Sequence, residues 1–246
     1  MYNSLKKIIL TVLPKKVIFQ AEPYLRTLWS LYCRGSKYKC TICQTKLRKW
    51  IILPNQDKIC PKCGSLSRDR RLWLLIENNY LADDINVLDF SPSRSLYRKW
   101  KKQNVIYKAT DLSGDFISDN RYDITSIPED DNTFDLILCY HVLEHVIEDV
   151  LAMKELYRTL KPTGTLIVQT PFKEGEIYED YTITSEKHRL QHFGQEDHVR
   201  IYSVDGLKKR LTQSGFEVEV NHYSKDVIHG LAEEEIILIQ KKQPLL

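Results

Sequence analysis

The chain has 246 residues, 42% of them hydrophobic and 28% charged, which is enough for one large domain, or one with a small companion, around a substantial core. No apolar run reaches the length of a bilayer span, and IILTVL near the start is too short for one and lacks a small-residue cleavage site, so a cytoplasmic protein is expected. The net charge of +3 hides an imbalance: Met1–Arg71 carries 16 Lys and Arg against 3 acids, a net +13, and the remainder is acidic. A basic N-terminal third on an acidic body suits an anionic partner such as nucleic acid, a lipid surface or an acidic glycan.

Residues 1–35 read as a helical segment broken at Pro14, with a second break expected at Pro23. Val17, Ile18, Ala21, Leu25, Leu28 and Trp29 recur at helical spacing, and with the nearby Lys pairs this stripe would also suit peripheral contact with a membrane. Residues 36–71 read as a small module. Cys40-x-x-Cys43 and Cys60-x-x-Cys63, sixteen residues apart, have the spacing of a four-thiolate zinc site, with Pro61 and Gly64 in the turn. Two hairpins should flank the ion, one of them using Trp50–Leu53 as a strand. Four thiolates leave no open coordination position, so the zinc is expected to be structural.

A helix over Arg68–Tyr80 leads into residues 72–246, where strands and helices alternate. Ile85–Ser95 (INVLDFSPSRS) is an unbroken apolar strand ending in Asp89 and small turn residues. A second strand at Val105–Lys108 ends just before Asp111, 22 positions beyond Asp89, the spacing at which a parallel α/β fold holds ribose hydroxyls. Ser91, Ser93 and Ser95 stand where a nucleotide loop would carry glycine. The turn therefore suits a ligand without phosphates better than a dinucleotide. Phe134–Tyr140 reads as a buried strand, His141–Leu160 as one helix, Thr165–Gln169 as a strand, Val204–Ser214 as a helix, and Phe216–Val220 and Glu235–Lys241 as the last strands. Residues 173–203 form a long polar insertion. The pattern implies a mostly parallel sheet with helices on both faces.

These segments resemble class I S-adenosylmethionine-dependent methyltransferases of the type 11 group. VLDFSPS is similar to the family's first motif, Asp111 to its ribose-binding acid, Tyr122-Asp123-Ile124 to its adenine-binding acid, and LKPTGTLIVQTP to its turn and fifth strand. The resemblance implies a Rossmann-like, seven-stranded sheet. It also implies a cofactor site drawn from Asp89, Phe90, Ser91, Ser93, Asp111, Leu112, Asp123, Ile124, Tyr140 and His141. FGQxDHVR within the insertion looks like a stretch found in methyltransferases of surface-polysaccharide gene sets.

Methyl transfer to a hydroxyl requires a base, and His141 and His198 are the candidates. Tyr178, His192, Asp197, His198 and Arg200 are read as acceptor-recognition residues, with Arg200 the anchor. His141-Val-Leu-Glu144-His145 spells a metalloprotease signature, but its place after the fourth strand favours methyl transfer. The expected function is O-methylation of a sugar or surface glycan. The alternatives are an RNA methyltransferase gripping its substrate through the basic module, and a non-catalytic zinc-bearing binding protein.

Overall fold

The computed structural model describes residues 15–241, so the expected break at Pro14 lies outside the described residues. The chain divides into two compact units. The first takes the described residues up to Asn79 together with Ser93–Lys99 and Ser224–Glu233, and the second takes Tyr80–Pro92, Trp100–Tyr223 and the strand that begins at Glu234. Two short pieces from far along the chain join the cysteine module in the first unit.

In the first unit, α1 (Lys15–Tyr32) runs unbroken through Pro23. Proline removes the amide that would bond the carbonyl four residues back. That carbonyl, Phe19 O, accepts instead from the guanidinium of Arg98 at 2.6 Å, which accounts for the absence of the predicted break. Tyr24, Leu25, Leu28, Trp29 and Tyr32 form an exposed apolar stripe on α1, Tyr24 being 76% accessible. No described helix is long and apolar enough to cross a membrane.

Strands β1 (Arg34–Lys39) and β2 (Lys46–Leu47) make one hairpin, and β3 (Ile51–Ile52) and β4 (Lys58–Ile59) make a second. Helix α2 (Ser67–Asn79) follows, burying Leu72, Trp73, Leu75 and Ile76. Its Arg70 is fully buried. It donates to Ser65 O, Lys58 O, His229 O and Gly230 O, and its guanidinium lies 4.3 Å from the Trp50 ring. One side chain thus fastens Ser224–Glu233 to the hairpins.

The second unit is built on a six-stranded sheet: β5 (Asn86–Phe90), β6 (Ile106–Thr110), β7 (Phe134–Tyr140), β8 (Leu160–Gln169), β11 (Phe216–Tyr223) and β12 (Glu234–Lys241). The order is β11-β12-β8-β7-β5-β6, with β5 to β8 parallel and β12 antiparallel to both of its neighbours. Among the described residues the sheet has six strands rather than seven, and it ends at β6. Residues 111–123 carry no apolar run, and they meet β6 through a single bridge, Thr110 to Asn120. The register aligns Phe90 with Thr110 and Cys139, and Tyr140 with Gln169. The carboxyl ends of the parallel strands therefore form one edge.

Helix α3 (Arg94–Trp100) follows β5. The predicted helix over His141–Leu160 is instead a 3-10 turn, Leu143–His145, followed by α4 (Asp149–Thr159). His141 lies in the left-handed region (φ +55°) and Val146 is extended, so the chain cannot run straight from strand to helix. Helices α4 and α6 (Val204–Gln213) supply Ala152, Met153, Leu156, Leu207 and Leu211 to a core shared with Leu88, Ile137, Leu166 and Val168 of the sheet. The insertion is structured: β9 (Tyr178–Glu179) and β10 (Arg200–Ile201) pair antiparallel around α5 (Glu186–Phe193).

Candidate functional site

The cysteine module comes first in the chain. Cys40–Thr45 and Cys60–Ser65 are two copies of one turn. In each, the first cysteine's amide bonds the carbonyl five residues on, and its own carbonyl accepts from the residue four on. That fourth residue is left-handed in both turns, Gln44 at φ +59° and Gly64 at φ +81°. In the second, a Cβ would also meet the guanidinium end of Arg26 at 2.9 Å, which would have to shift. The four sulfurs converge, with Sγ–Sγ distances of 3.7 Å for Cys40–Cys63 and for Cys43–Cys60. A tetrahedron with Zn–S bonds of about 2.3 Å has edges of about 3.8 Å, so the group fits zinc. Hydrogen bonds from Cys43, Cys60 and Cys63 hold the Cys40 thiol far below its ordinary value.

The second site lies along the carboxyl edge of the parallel strands. Asp89, one residue before the end of β5, is almost wholly buried, with the Tyr107 hydroxyl donating to its Oδ2 at 2.9 Å. Ser91, just past β5, takes φ +51° although it has a Cβ. Its amide donates to Thr110 O at 2.7 Å and its hydroxyl to Asp111 Oδ1 at 2.8 Å, and these bonds hold the strained turn. The other oxygen of Asp111 accepts from Ser113 Oγ, Gly114 N and Phe116 N. The carboxylate expected to grip a ribose is thus buried, and protein donors occupy both of its oxygens. A ribose would have to displace the Ser91 and Ser113 hydroxyls. Leu112 beside it is 57% exposed, an uncovered apolar surface at the strand end. Asp123 is exposed and closes its own turn onto Thr125, whereas Ile124 is buried in the core. Ser93 bonds Ser95 at the start of α3.

At the end of β7, Tyr140 leads into His141, whose amide donates to Gln169 O and whose Nδ1 lies 3.3 Å from Glu144 Oε1. Burial pushes the Glu144 carboxyl up, but the hydrogen bond and charge of His141 outweigh it and hold it below the usual range. The insertion joins this segment through Val199 N to Glu144 O at 2.9 Å. His198 is consequently buried against His145, the two rings 4.6 Å apart edge to face, and Asp197 lies 3.1 Å from His145 Nδ1. His192 is elsewhere, exposed on α5 and bonded to the Tyr178 hydroxyl. The acceptor cluster read from the sequence therefore separates: His198 and Asp197 join the β7 edge, while His192 and Tyr178 pair on the outer face of the insertion.

Arg200 is corrected outright. It is fully buried and donates to Leu143 O, Val146 O, Ile147 O, Glu179 and the Tyr181 hydroxyl, so no donor is spare for an acceptor. With Asp149, Glu179, Tyr202 and Arg210 it makes a closed ionic network. Sequence reasoning also missed Gln169 Oε1 and Thr170 Oγ1, buried without partners at the end of β8. Their only signal was their place at a strand end. It missed Glu144 as well, because the motif drew attention to its histidines. A cleft of about 370 Å³ lined by Phe172, Lys173 and Asp205 lies past β8 and includes none of the residues above.

A family model described as a methyltransferase domain matches residues 68–220. An uncharacterised protein of Methanocaldococcus jannaschii, MJ0638, is 38% identical over 89 residues, and the match spans about a third of each chain, 35%. Among solved structures, the [4+2]-cyclase SpnF superposes with a TM-score of 0.53 at 16% identity, over 92% of this chain and 94% of that one. An S-adenosylmethionine-dependent methyltransferase from Mesorhizobium loti gives 0.51 at 14% identity, over 69% and 97%. Haemonchus contortus phosphoethanolamine N-methyltransferase 2, in complex with S-adenosyl-L-methionine, gives 0.51 at 12%, over 71% and 53%. At these identities the structures speak for the fold. The family match covers well over half of the sequence, and the chain belongs to the methyltransferase-domain family.

Proposed function

We propose that this protein transfers the methyl group of S-adenosylmethionine to a hydroxyl of a sugar in a surface glycan, working at a membrane face. The observation that carries this reading is the grouping of His141, Glu144, His145 and His198 at the end of β7, the strand that pairs with the one carrying Asp89. The cofactor brings the leaving group. The protein must hold the acceptor oxygen about 3–3.5 Å from the methyl carbon, in line with the carbon–sulfur bond, and take its proton. His141, part-exposed and oriented by Glu144, is suited to take that proton. Asp111 and Leu112 suit the ribose and the adenine once Ser91 yields its bond.

Charge favours a sugar over RNA. Residues 173–203 carry seven acids against four Lys and Arg, and Arg200 among the four is consumed internally, so the segment beside the acceptor edge repels phosphates. Its exposed Tyr181 offers an aromatic face to a sugar ring. The RNA alternative rests on the +13 of Met1–Arg71. In that segment Arg26 pairs with Glu22, while Arg70 and Arg71 are spent on buried carbonyls. The exposed stripe of α1 supports a lipid surface as the place of work.

The test is incubation of the full chain with radiolabelled cofactor and separate pools of glycan, lipid-linked glycan and RNA. Label in the glycan pools is expected. Label in RNA alone would replace the acceptor assignment, and absence of cofactor binding by calorimetry would leave the non-catalytic alternative.

A further inference from the structure

Glu144, His145 and His198 each present one ligand atom, and the three atoms lie within 4.8 Å of one another. Glu144 and His198 are 1% and 3% exposed, and each also keeps a buried atom with no hydrogen-bond partner, Glu144 Oε2 and His198 Nε2. Buried polar atoms without partners are rare and costly. Here the mismatch has a sign. A carboxylate oxygen and a bare imidazole nitrogen both carry lone pairs, so neither can satisfy the other, and something electropositive belongs between them.

Each of the three is also braced from behind. His198 Nδ1 is 3.3 Å from Phe193 O, His145 Nδ1 is 3.1 Å from Asp197 Oδ2, and Glu144 Oε1 is 3.3 Å from His141 Nδ1. Outer partners of this kind fix the tautomer and direction of metal-binding imidazoles and carboxylates. The geometry points to a second metal site in this protein: Glu144, His145 and His198 hold a divalent transition ion of the zinc class through one carboxylate and two imidazoles. Mixed imidazole and carboxylate donors suit zinc, manganese, iron or cobalt better than magnesium or calcium. Three protein ligands leave a coordination position open, on the side where His145 is part-exposed. The ion is thus distinct in chemistry from the closed four-thiolate site.

Its use in the reaction rests on the methyl-transfer reading above; its binding does not. An acceptor hydroxyl entering the open position would lose its proton to His141. The oxygen would then bond the methyl carbon while the carbon–sulfur pair returns to sulfur, leaving neutral S-adenosylhomocysteine.

The test uses the full chain with zinc retained in the cysteine module, washed with a mild chelator and titrated with cobalt(II). The expected result is a second equivalent that lacks a thiolate-to-cobalt charge-transfer band. That equivalent should bind at least ten-fold more weakly in His198→Ala and in Glu144→Gln, with the first equivalent unchanged. His145→Gln, at a half-exposed position, decides the matter if the buried variants fail to fold. Wild-type protein that takes up no second ion, as a bridging water would give, overturns the site, and so do folded variants that keep it. Cofactor binding is measured separately by calorimetry. Its loss with intact second-ion binding would refute the methyl-transfer reading alone.

Discussion

The two ligand groups in this protein are assembled in opposite ways. Cys40, Cys43, Cys60 and Cys63 come from one turn used twice, once between β1 and β2 and once between β4 and α2, and each turn aims two sulfurs by its own backbone hydrogen bonds. Glu144 and His145 come from a 3-10 turn after β7, and His198 from an insertion fifty-three positions later. They meet because Val199 bonds Glu144 O and because Arg200, at the neighbouring position, is bolted to the carbonyls of Leu143, Val146 and Ile147. A local device makes the first group self-sufficient. The second depends on a buried guanidinium that never touches the chemistry.

Breaking the local device should have the largest effect. Cys60→Ser removes one thiolate, and since metal binding in such sites is folding energy, on the order of 10 kcal/mol is at stake. Expected are loss of zinc by elemental analysis and rapid proteolysis within residues 34–66. A variant that keeps its zinc and its protease resistance would refute the assignment.

Breaking the tertiary device comes next. Arg200→Ala leaves Glu179 and Asp149 with Arg210 as the one cation of their network and strips three carbonyls of a donor. A loss of about 3–5 kcal/mol in urea unfolding is expected. Arg200→Lys should not restore it, because an ammonium cannot span the same carbonyls. The network also carries an acid sensitivity. Burial raises the Glu179 carboxyl, but Arg210 and Arg200 outweigh it and hold it below 4.5 in the folded protein. Its contribution is therefore complete above that value and is lost as pH falls through the lower folded value. In Arg200→Ala the acid limb of the stability curve should be shallower.

Two smaller effects sharpen the cofactor edge. Asp111→Ala should weaken S-adenosylmethionine by about 1.5–3 kcal/mol through loss of charge-assisted pairing. Ser91→Gly should act the other way. It relieves a left-handed serine and frees Asp111 Oδ1, with a gain of about 1 kcal/mol, roughly five-fold in Kd by calorimetry. Unchanged binding in Ser91→Gly would mean that the ribose does not use that oxygen.

The sequence by itself determined what depends on near neighbours: the thiolate spacing, the apolar strands at Val87–Phe90 and Phe134–Tyr140, and the alternation that makes a parallel sheet. It misjudged positions whose conformation is set from a distance. Pro23 stays helical because Arg98 answers the orphaned carbonyl, and His141 leaves the helical path because it is pinned to Gln169. The expected edge strand shrank to one bridge because residues 111–123 had no apolar face to bury. Arg200 and His198 looked alike in sequence, two polar residues of one loop. Only the tertiary structure separated them: a guanidinium has five donors to spend, and they found three carbonyls, the Glu179 carboxylate and the Tyr181 hydroxyl. The imidazole, by contrast, spent one nitrogen on Phe193 O and was buried with the other unmatched beside Glu144.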